Sequence, residues 1–164
     1  MTDTAMEKTT HSVETPPTQV QVHAQYIRDF SFENPHAPHS LRGGEGAAEM
    51  DVNIVIDANK INDDTNPNLY ETAIKLTVRS TRGKETMFIA EIVYAALVTL
   101  KDIPSAHIKP ILYVDVPQML FPFARQIIAN AVSNGGFPPL LLNPIDFRAM
   151  YANSINQEKS GQAA

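Results

Sequence analysis

The chain has 164 residues, a length that suits one domain with a single hydrophobic core. Hydrophobic residues make up 43% and charged residues 19%, which is typical of a globular protein rather than a disordered one. The net charge of −5 argues against binding to nucleic-acid phosphates, which needs clustered Lys and Arg, and it favours a partner with basic patches. Because the chain has no cysteine, disulfides, thiolate nucleophiles and zinc–thiolate sites are excluded.

Composition also sets the expected domain boundaries. Residues 1–18 and 157–164 are predicted to be disordered tails, because neither can bury enough apolar surface to offset the entropy of ordering. A single domain is expected over residues 19–156. The N-terminal segment lacks the apolar region of a signal peptide, and no apolar run approaches the roughly 20 residues that cross a bilayer. We therefore expect a soluble, cytoplasmic protein that does not insert into membranes.

The first ordered segment alternates with a period of two, which predicts a strand with one dry face and one wet face. The even positions from Val20 to Phe32 are mostly apolar, and the odd positions are mostly polar. The wet face carries Asp29, Ser31 and Glu33. Asn34 and the prolines after it are expected to end the strand.

Three further strands are predicted. Alternation over residues 49–57 and 70–79 indicates two strands separated by a polar turn at 60–68, and residues 80–85 resemble a hairpin connection. The fourth strand, 86–99, is apolar on both faces, and only Glu91 interrupts the second face. A strand apolar on both sides is buried on both sides, so we expect a second subunit to cover the face that one core leaves open.

The period of the pattern changes after Pro104. Pro117 suits a first helical turn with Asp115 as its cap, and Pro122 predicts a kink or a later start. The glycines at 135 and 136 are expected to end this helix. An apolar extended connection (residues 137–142, FPPLLL) then leads to a short helix opened by Pro144. Strands followed by helices predict an α+β fold, a four-stranded antiparallel sheet with two helices packed on one face.

The sequence contains few residues in patterns typical of catalysis or metal binding. The chain has no phosphate-binding glycine loop, no nucleophile elbow and no metalloprotease motif, so no catalytic residue, metal site or cofactor is predicted and the protein is not expected to be an enzyme. His36 and His39 are interpreted as solvated loop residues rather than metal ligands. Two other features of the sequence each allow two interpretations. The acidic stripe of the first strand is either a solvated face or a docking surface for a basic partner. The 137–142 segment is either a buried connection or the exposed wall of an apolar groove.

Four stretches carry a resemblance to a known family: residues 26–39 (YIRDFSFENPHAPH), 83–91 (GKETMFIAE), 120–125 (LFPFAR) and 136–147 (GFPPLLLNPIDF). Over about residues 20–152, the chain resembles SecB, the chaperone of bacterial preprotein export. The resemblance implies the fold predicted above, a homotetramer built as a dimer of dimers, and unfolded precursor polypeptides as clients. It also implies delivery of those clients to the SecA motor.

The resemblance further implies two sets of site residues. Carried over by position, the residues that dock the basic tail of SecA are Asp29, Glu33, Ile89 and Glu91. The client groove is expected to be formed by Phe137, Leu140, Leu141, Leu142, Phe147 and Met150. Two other hypotheses remain open at this point. One is a small enzyme or ligand-binding domain with a pocket between sheet and helix. The other is a structural subunit whose apolar surface is used up by self-association.

Overall fold

The computed structural model describes residues 19–162, apart from the side chain of Gln162. Its sheet has four antiparallel strands: β1 (Val20–Glu33), β2 (Glu49–Lys60), β3 (Leu69–Arg82) and β4 (Glu85–Leu100). They lie in the order β1-β4-β3-β2, so β1 and β2 form the two edges. A two-residue turn at Gly83, where φ is +60°, joins β3 to β4 as predicted. The predicted fold class is confirmed. The tail predicted at residues 1–18 lies outside the described residues.

Register defines the two faces of the sheet. The even residues of β3, from Tyr70 to Ser80, lie on the inner face with Ile74, Leu76 and Val78 at 0% exposure. On β4 the inner face includes Phe88, Ile92 and Val98, and it joins the same hydrophobic cluster. The odd residues of β3 form the outer face. Most of them are polar, as expected for a sheet with one solvated side.

β1 departs from the simple alternation predicted for it. Its pairing with β4 shifts register between Val22 and Ala24 and again between Ile27 and Asp29. Each shift exchanges the faces, so Tyr26 lies on the outer face opposite Ala95, whereas Ile27 and Phe30 lie on the inner one. The prediction of one dry face running from Val20 to Phe32 is therefore wrong in the middle of the strand.

The second face of β4 is partly covered from within the chain. Val93 is 8% exposed and Ala95 is fully buried, and both pack with Ala73 and Tyr26 in a small outer cluster. Met87 lies at the bulge beside the β3–β4 turn and joins the main core at 3% exposure. Residues of β1 and β3 thus cover part of the outer face of β4, so the apolar outer face of β4 does not by itself require a second subunit.

The helix after the sheet begins a full three turns before the predicted start. α1 (Ser105–Pro110) continues through a π-helical turn (Ile111–Asp115) into α2 (Val116–Asn134). Asp115 is itself helical (φ −71°, ψ −44°) and its side chain caps nothing, so the predicted cap is wrong. Burial of Leu112 and Val114 in the core favours helix here, and the wider turn accommodates a segment where prolines remove backbone donors.

α2 forms the layer over the sheet. Leu120, Ala124, Ile128 and Val132, each four residues apart, are at most 1% exposed and form one helical stripe. This stripe packs against the inner faces of β3 and β4. The helix ends at Gly135, as predicted.

α3 (Phe147–Gln162) contacts the π-helical turn, where Tyr151 stacks on Tyr113 with ring centroids 5.9 Å apart. It is longer than predicted. Residues 157–162 were predicted to belong to a disordered tail, but they continue the helix. The residues Gln157, Glu158 and Lys159 are good helix formers, and no proline stops the last two turns.

Candidate functional site

An apolar groove runs between the inner face of edge strand β2 and the segment that connects α2 to α3. One end is a cavity of about 290 Å³ and the other a cavity of about 360 Å³, and both are lined by Met50, Leu140 and Leu141. Val52 and Leu142 line the outer end, and Phe88 and Phe137 line the inner end. The two cavities therefore form one continuous surface that crosses β2.

The groove is open to solvent and apolar. Leu141 is 86% exposed, Met50 is 46% exposed and Val52 is 37% exposed. Prolines 138 and 139 explain the local structure, because they lack backbone donors and oppose a helix, so the connection stays extended across the strand. Exposed apolar side chains gathered in one depression typically mark an interaction site.

The structure brings together most of the residues predicted for this groove. Phe137, Leu140, Leu141 and Leu142 all line it. Phe147 does not, because it is 3% exposed and packs edge-on against Phe121, with centroids 5.8 Å apart, inside the core. Met150 is half-buried against the same core on α3. Sequence reasoning missed the β2 wall, Met50 and Val52, although the alternation of that strand already showed an apolar face.

A row of aromatic rings supports the inner end of the groove. Phe32 of β1 stacks on Phe88 of β4 at 5.8 Å between centroids, and Phe88 contacts Phe137 at 5.0 Å. Such pairs stabilise a fixed ring arrangement beyond the area they bury. The groove wall is thereby anchored to the central strand of the sheet.

The outer face of the sheet carries the residues predicted to dock a basic partner. Glu33 lies directly opposite Ile89, Ser31 opposite Glu91, and Asp29 opposite Val93. Directly opposed and diagonal neighbours in antiparallel strands are about 5–8 Å apart, so three carboxylates fall within a small area. The four predicted residues thus share one surface, which we call the acidic face (Asp29, Glu33, Ile89, Glu91).

Glu91 is the one member of the acidic face with internal partners among the described residues. Lys75 Nζ lies 3.0 Å from its Oε1, and the Thr77 hydroxyl donates to its Oε2 at 3.1 Å. The hydrogen bond from Lys75, followed by that from Thr77, lowers the pKa of Glu91 against the opposing effect of desolvation. Glu91 is therefore ionised at neutral pH, with part of its charge already compensated.

A second polar cluster on the outer face was not predicted. Arg28, at the β1 bulge, forms an ion pair with Glu71 at 2.5 Å, and the Tyr26 hydroxyl donates to the other oxygen of Glu71. Burial and this hydrogen bond raise the pKa of Tyr26 to about 12. The β1 bulge places Arg28 beside Glu71 on the outer face. A bulge cannot be recognised from period-two alternation, so the sequence did not predict this ion pair.

Other site classes are not represented in the described part of the chain. Residues 19–162 contain no cluster of three or more His, Asp or Glu side chains able to hold a metal ion. Within the same residues, no helix combines the length and apolarity needed to cross a bilayer.

An open apolar groove on the inner side of the sheet, with the acidic face on the outer side, fits a polypeptide-binding protein of the α+β class. A family model described as preprotein translocase subunit SecB matches residues 13–158. The chain belongs to the SecB family, and it is a preprotein export chaperone rather than an enzyme, as predicted.

Individual relatives agree with this assignment. The protein-export protein SecB of Bartonella quintana is 47% identical over 135 residues, which cover 82% of this chain and 83% of the relative. The SecB of a Bradyrhizobium strain is 39% identical over 149 residues, covering 91% and 90%. Among solved structures, a SecB-like chaperone of Mycobacterium tuberculosis, in complex with a peptide from an antitoxin, matches with a TM-score of 0.62 at 15% identity, covering 77% of this chain and 90% of that one. That likeness supports the fold.

Proposed function

We propose that the groove holds extended segments of unfolded precursor polypeptides and keeps them competent for export. The observation that supports this proposal most directly is the open apolar surface across β2, with Leu141 at 86% exposure. An exposed leucine beside Met50 and Val52 has no role in the core of this chain. The antitoxin peptide bound by the Mycobacterium tuberculosis protein gives independent support, since that chaperone has the same fold.

The physical chemistry of such a groove explains selectivity for unfolded chains. Each large apolar client side chain withdrawn from water contributes about 1.5–3 kcal/mol. Five of them give on the order of 10 kcal/mol, of which lost motional freedom cancels about half, leaving about 5 kcal/mol and a dissociation constant of roughly 0.2 mM for one short segment. A long client that reaches several grooves binds more tightly through effective concentration. A folded protein exposes too few apolar side chains to compete.

The direct test uses a reduced, unfolded protein that cannot refold. The purified chaperone should suppress its aggregation and form a complex in native mass measurements, whereas the same protein with its disulfides intact and folded should not bind. Absence of a complex with the unfolded form would refute client holding.

We propose further that the acidic face docks the basic tail of SecA. Glu33 is exposed and has no ion-pair partner among residues 19–162, so it offers a free carboxylate beside Ile89. Reversing its charge should weaken a contact made with lysines. Because exposed charges are screened within about 10 Å at 0.1 M salt, the effect should shrink as salt rises.

Glu33→Lys tests this docking more cleanly than Glu91→Lys, because a lysine at 91 would also face Lys75. Glu33→Lys should reduce affinity for a peptide of the SecA tail about tenfold at low salt and leave client holding unchanged. Glu45→Lys makes the same charge change at a residue of the loop before β2 that does not belong to the acidic face, and it should have a smaller effect. Equal affinities for the wild type and Glu33→Lys would remove the docking assignment.

Assembly into a cytoplasmic homotetramer is also proposed. Apolar side chains remain exposed along the inner side of edge strand β1 and the neighbouring face of α2. These are Val22 at 38%, Ile27 at 49%, Phe30 at 41% and Phe123 at 46% exposure. A cavity of about 420 Å³ lies beside them, lined by Phe30, Ile127 and Ala131. Self-association would remove this surface from water. Native mass that shows a monomer at micromolar concentration would refute it.

A further inference from the structure

The bulge of β1 places a cation next to the acidic face. In a regular strand, consecutive side chains lie on opposite faces, so Asp29 on the outer face would leave Arg28 on the inner one. The register shift between Ile27 and Asp29 interrupts this alternation, and Arg28 is skipped in the pairing with β4. The Arg28 side chain lies on the outer face, where it contacts Glu71. A guanidinium group and a docking carboxylate are thus consecutive in the chain and share one face.

Glu71 of β3 holds this cation. Its Oε1 accepts a hydrogen bond from Arg28 Nη1 at 2.5 Å, and its Oε2 accepts one from the Tyr26 hydroxyl. Both carboxylate oxygens are therefore engaged by residues of β1, and the Glu71 side chain is only 18% exposed. Two donors on one carboxylate fix its orientation, and hydrogen bonds to a charged group are stronger than those between neutral groups.

Small residues in the middle of the sheet make this contact possible. Tyr26 lies opposite Ala95 of β4, and Ala95 lies opposite Ala73 of β3. Tyr26 packs on both alanines in the outer cluster, so its hydroxyl extends across β4. Glu71 is two residues from Ala73 on the same face of β3, which places its carboxylate within reach of β1.

A guanidinium group that is not held by Glu71 would oppose the docking of a basic partner. Asp29 makes no ion pair among residues 19–162, whereas Arg28 is paired with Glu71. Once released, Arg28 can turn toward Asp29, because the two residues are consecutive and lie on the same face. It would then neutralise the Asp29 carboxylate and repel the lysines of a partner.

We propose that Glu71 is a positioning residue for the acidic face, which holds the Arg28 guanidinium group away from Asp29 and keeps the Asp29 carboxylate available to a basic partner. The inference rests on the proposed docking of a basic tail at the acidic face. Glu71 acts through Arg28 and does not itself need to touch the partner. Its effect therefore depends on a cation at position 28, whereas a negative charge acting on the partner directly would not need one.

The test is a double-mutant cycle that measures the affinity for a labelled SecA-tail peptide at low salt by fluorescence anisotropy. Glu71→Gln keeps the shape of the side chain and loses its charge, so it should lower affinity about fivefold. Arg28→Gln alone should stay within about twofold of the wild type, because the Arg28 charge is already held by Glu71. The double variant should return to within about twofold of the wild type, since no cation is left to release. Client holding should be unchanged in all three variants.

Asp57→Asn is the matched control for the loss of one negative charge. Asp57 lies on the same outer face, opposite Ala73, and forms no ion pair within the described residues. Its replacement frees no cation, so affinity should stay within about twofold of the wild type. Glu71→Asp keeps the charge but is one methylene shorter, and it should lower affinity about threefold. It decides the matter if Glu71→Gln does not fold, and wild-type affinity would then overturn the proposal.

The cycle separates this positioning role from docking itself. Equal effects of Arg28→Gln with Glu71 and with Gln at position 71 would overturn the positioning role, because additive changes show that the two charges act independently. Wild-type affinity of Glu71→Gln, together with weaker binding by Glu33→Lys, would also overturn it and leave docking intact. If Glu33→Lys binds the tail as tightly as the wild type, docking at the acidic face is overturned and this inference with it.

Discussion

Leu141→Asp should lower client affinity while leaving the free energy of unfolding almost unchanged. Leu141 is 86% exposed, so the free protein should lose no more than about 0.5 kcal/mol of unfolding free energy when it is replaced. In the proposed client complex, the same side chain would bury apolar surface worth about 1.5–3 kcal/mol. Its loss corresponds to a decrease in client affinity of about 10- to 150-fold, and desolvation of the new carboxylate adds to this.

The assay is fluorescence anisotropy of a labelled, reduced unfolded protein titrated with the chaperone, together with the thermal midpoint and native mass of each variant. Val55→Asp is the matched control. Val55 is 48% exposed on the outer face of β2, so the same apolar-to-acidic change falls on the other side of the strand that forms the groove wall. It should leave client affinity unchanged. If Leu141→Asp keeps its fold and assembly and binds clients within about threefold of the wild type, the groove has been assigned wrongly.

Further predictions concern the fold. The pKa of Tyr26 is raised to about 12, so its stabilising effect is complete below pH 10 and is lost as pH rises toward 12. Tyr26→Phe should therefore lose stability less steeply than the wild type over that range in urea titrations. Gly135→Ala would press a Cβ into the ring of Phe32 and should lower the unfolding free energy by about 1–3 kcal/mol, whereas Gly161→Ala, in the last turn of α3, meets no neighbour and should not lower it. Ile128→Ala, at a fully buried position, should cost about 2–5 kcal/mol in denaturant unfolding, and a loss below 1 kcal/mol would contradict the packing described for α2.

The sheet could be predicted because alternation is a local signal. β2 and β3 keep one register against each other along their paired length, and both strands lie where the alternation predicted them. β1 could not be predicted in full, since two register shifts exchange its faces and nothing in the residues around Arg28 announces them. The start of the helical layer failed for a different reason. Pro117 suggested a first helical turn, but burial of Leu112 and Val114 favours helix before it.

The candidate sites also divide into residues that the sequence could place and residues that it could not. The acidic face was placed from the resemblance to the SecB family, and register confirms that its four residues share one surface. Phe147 could not be separated from the groove residues by sequence, because an apolar side chain beside a proline-containing connection can turn either way. Its contact with Phe121 decides this.

The groove and the acidic face lie on opposite sides of one four-stranded sheet. In the proposed roles, a polypeptide in the groove would therefore leave Asp29 and Glu33 uncovered, and a motor tail on those carboxylates would leave the entrance beside Leu141 open. The proposed model thus allows client and motor to bind at the same time. Transfer would then require no prior release into solution, where a precursor would be free to aggregate.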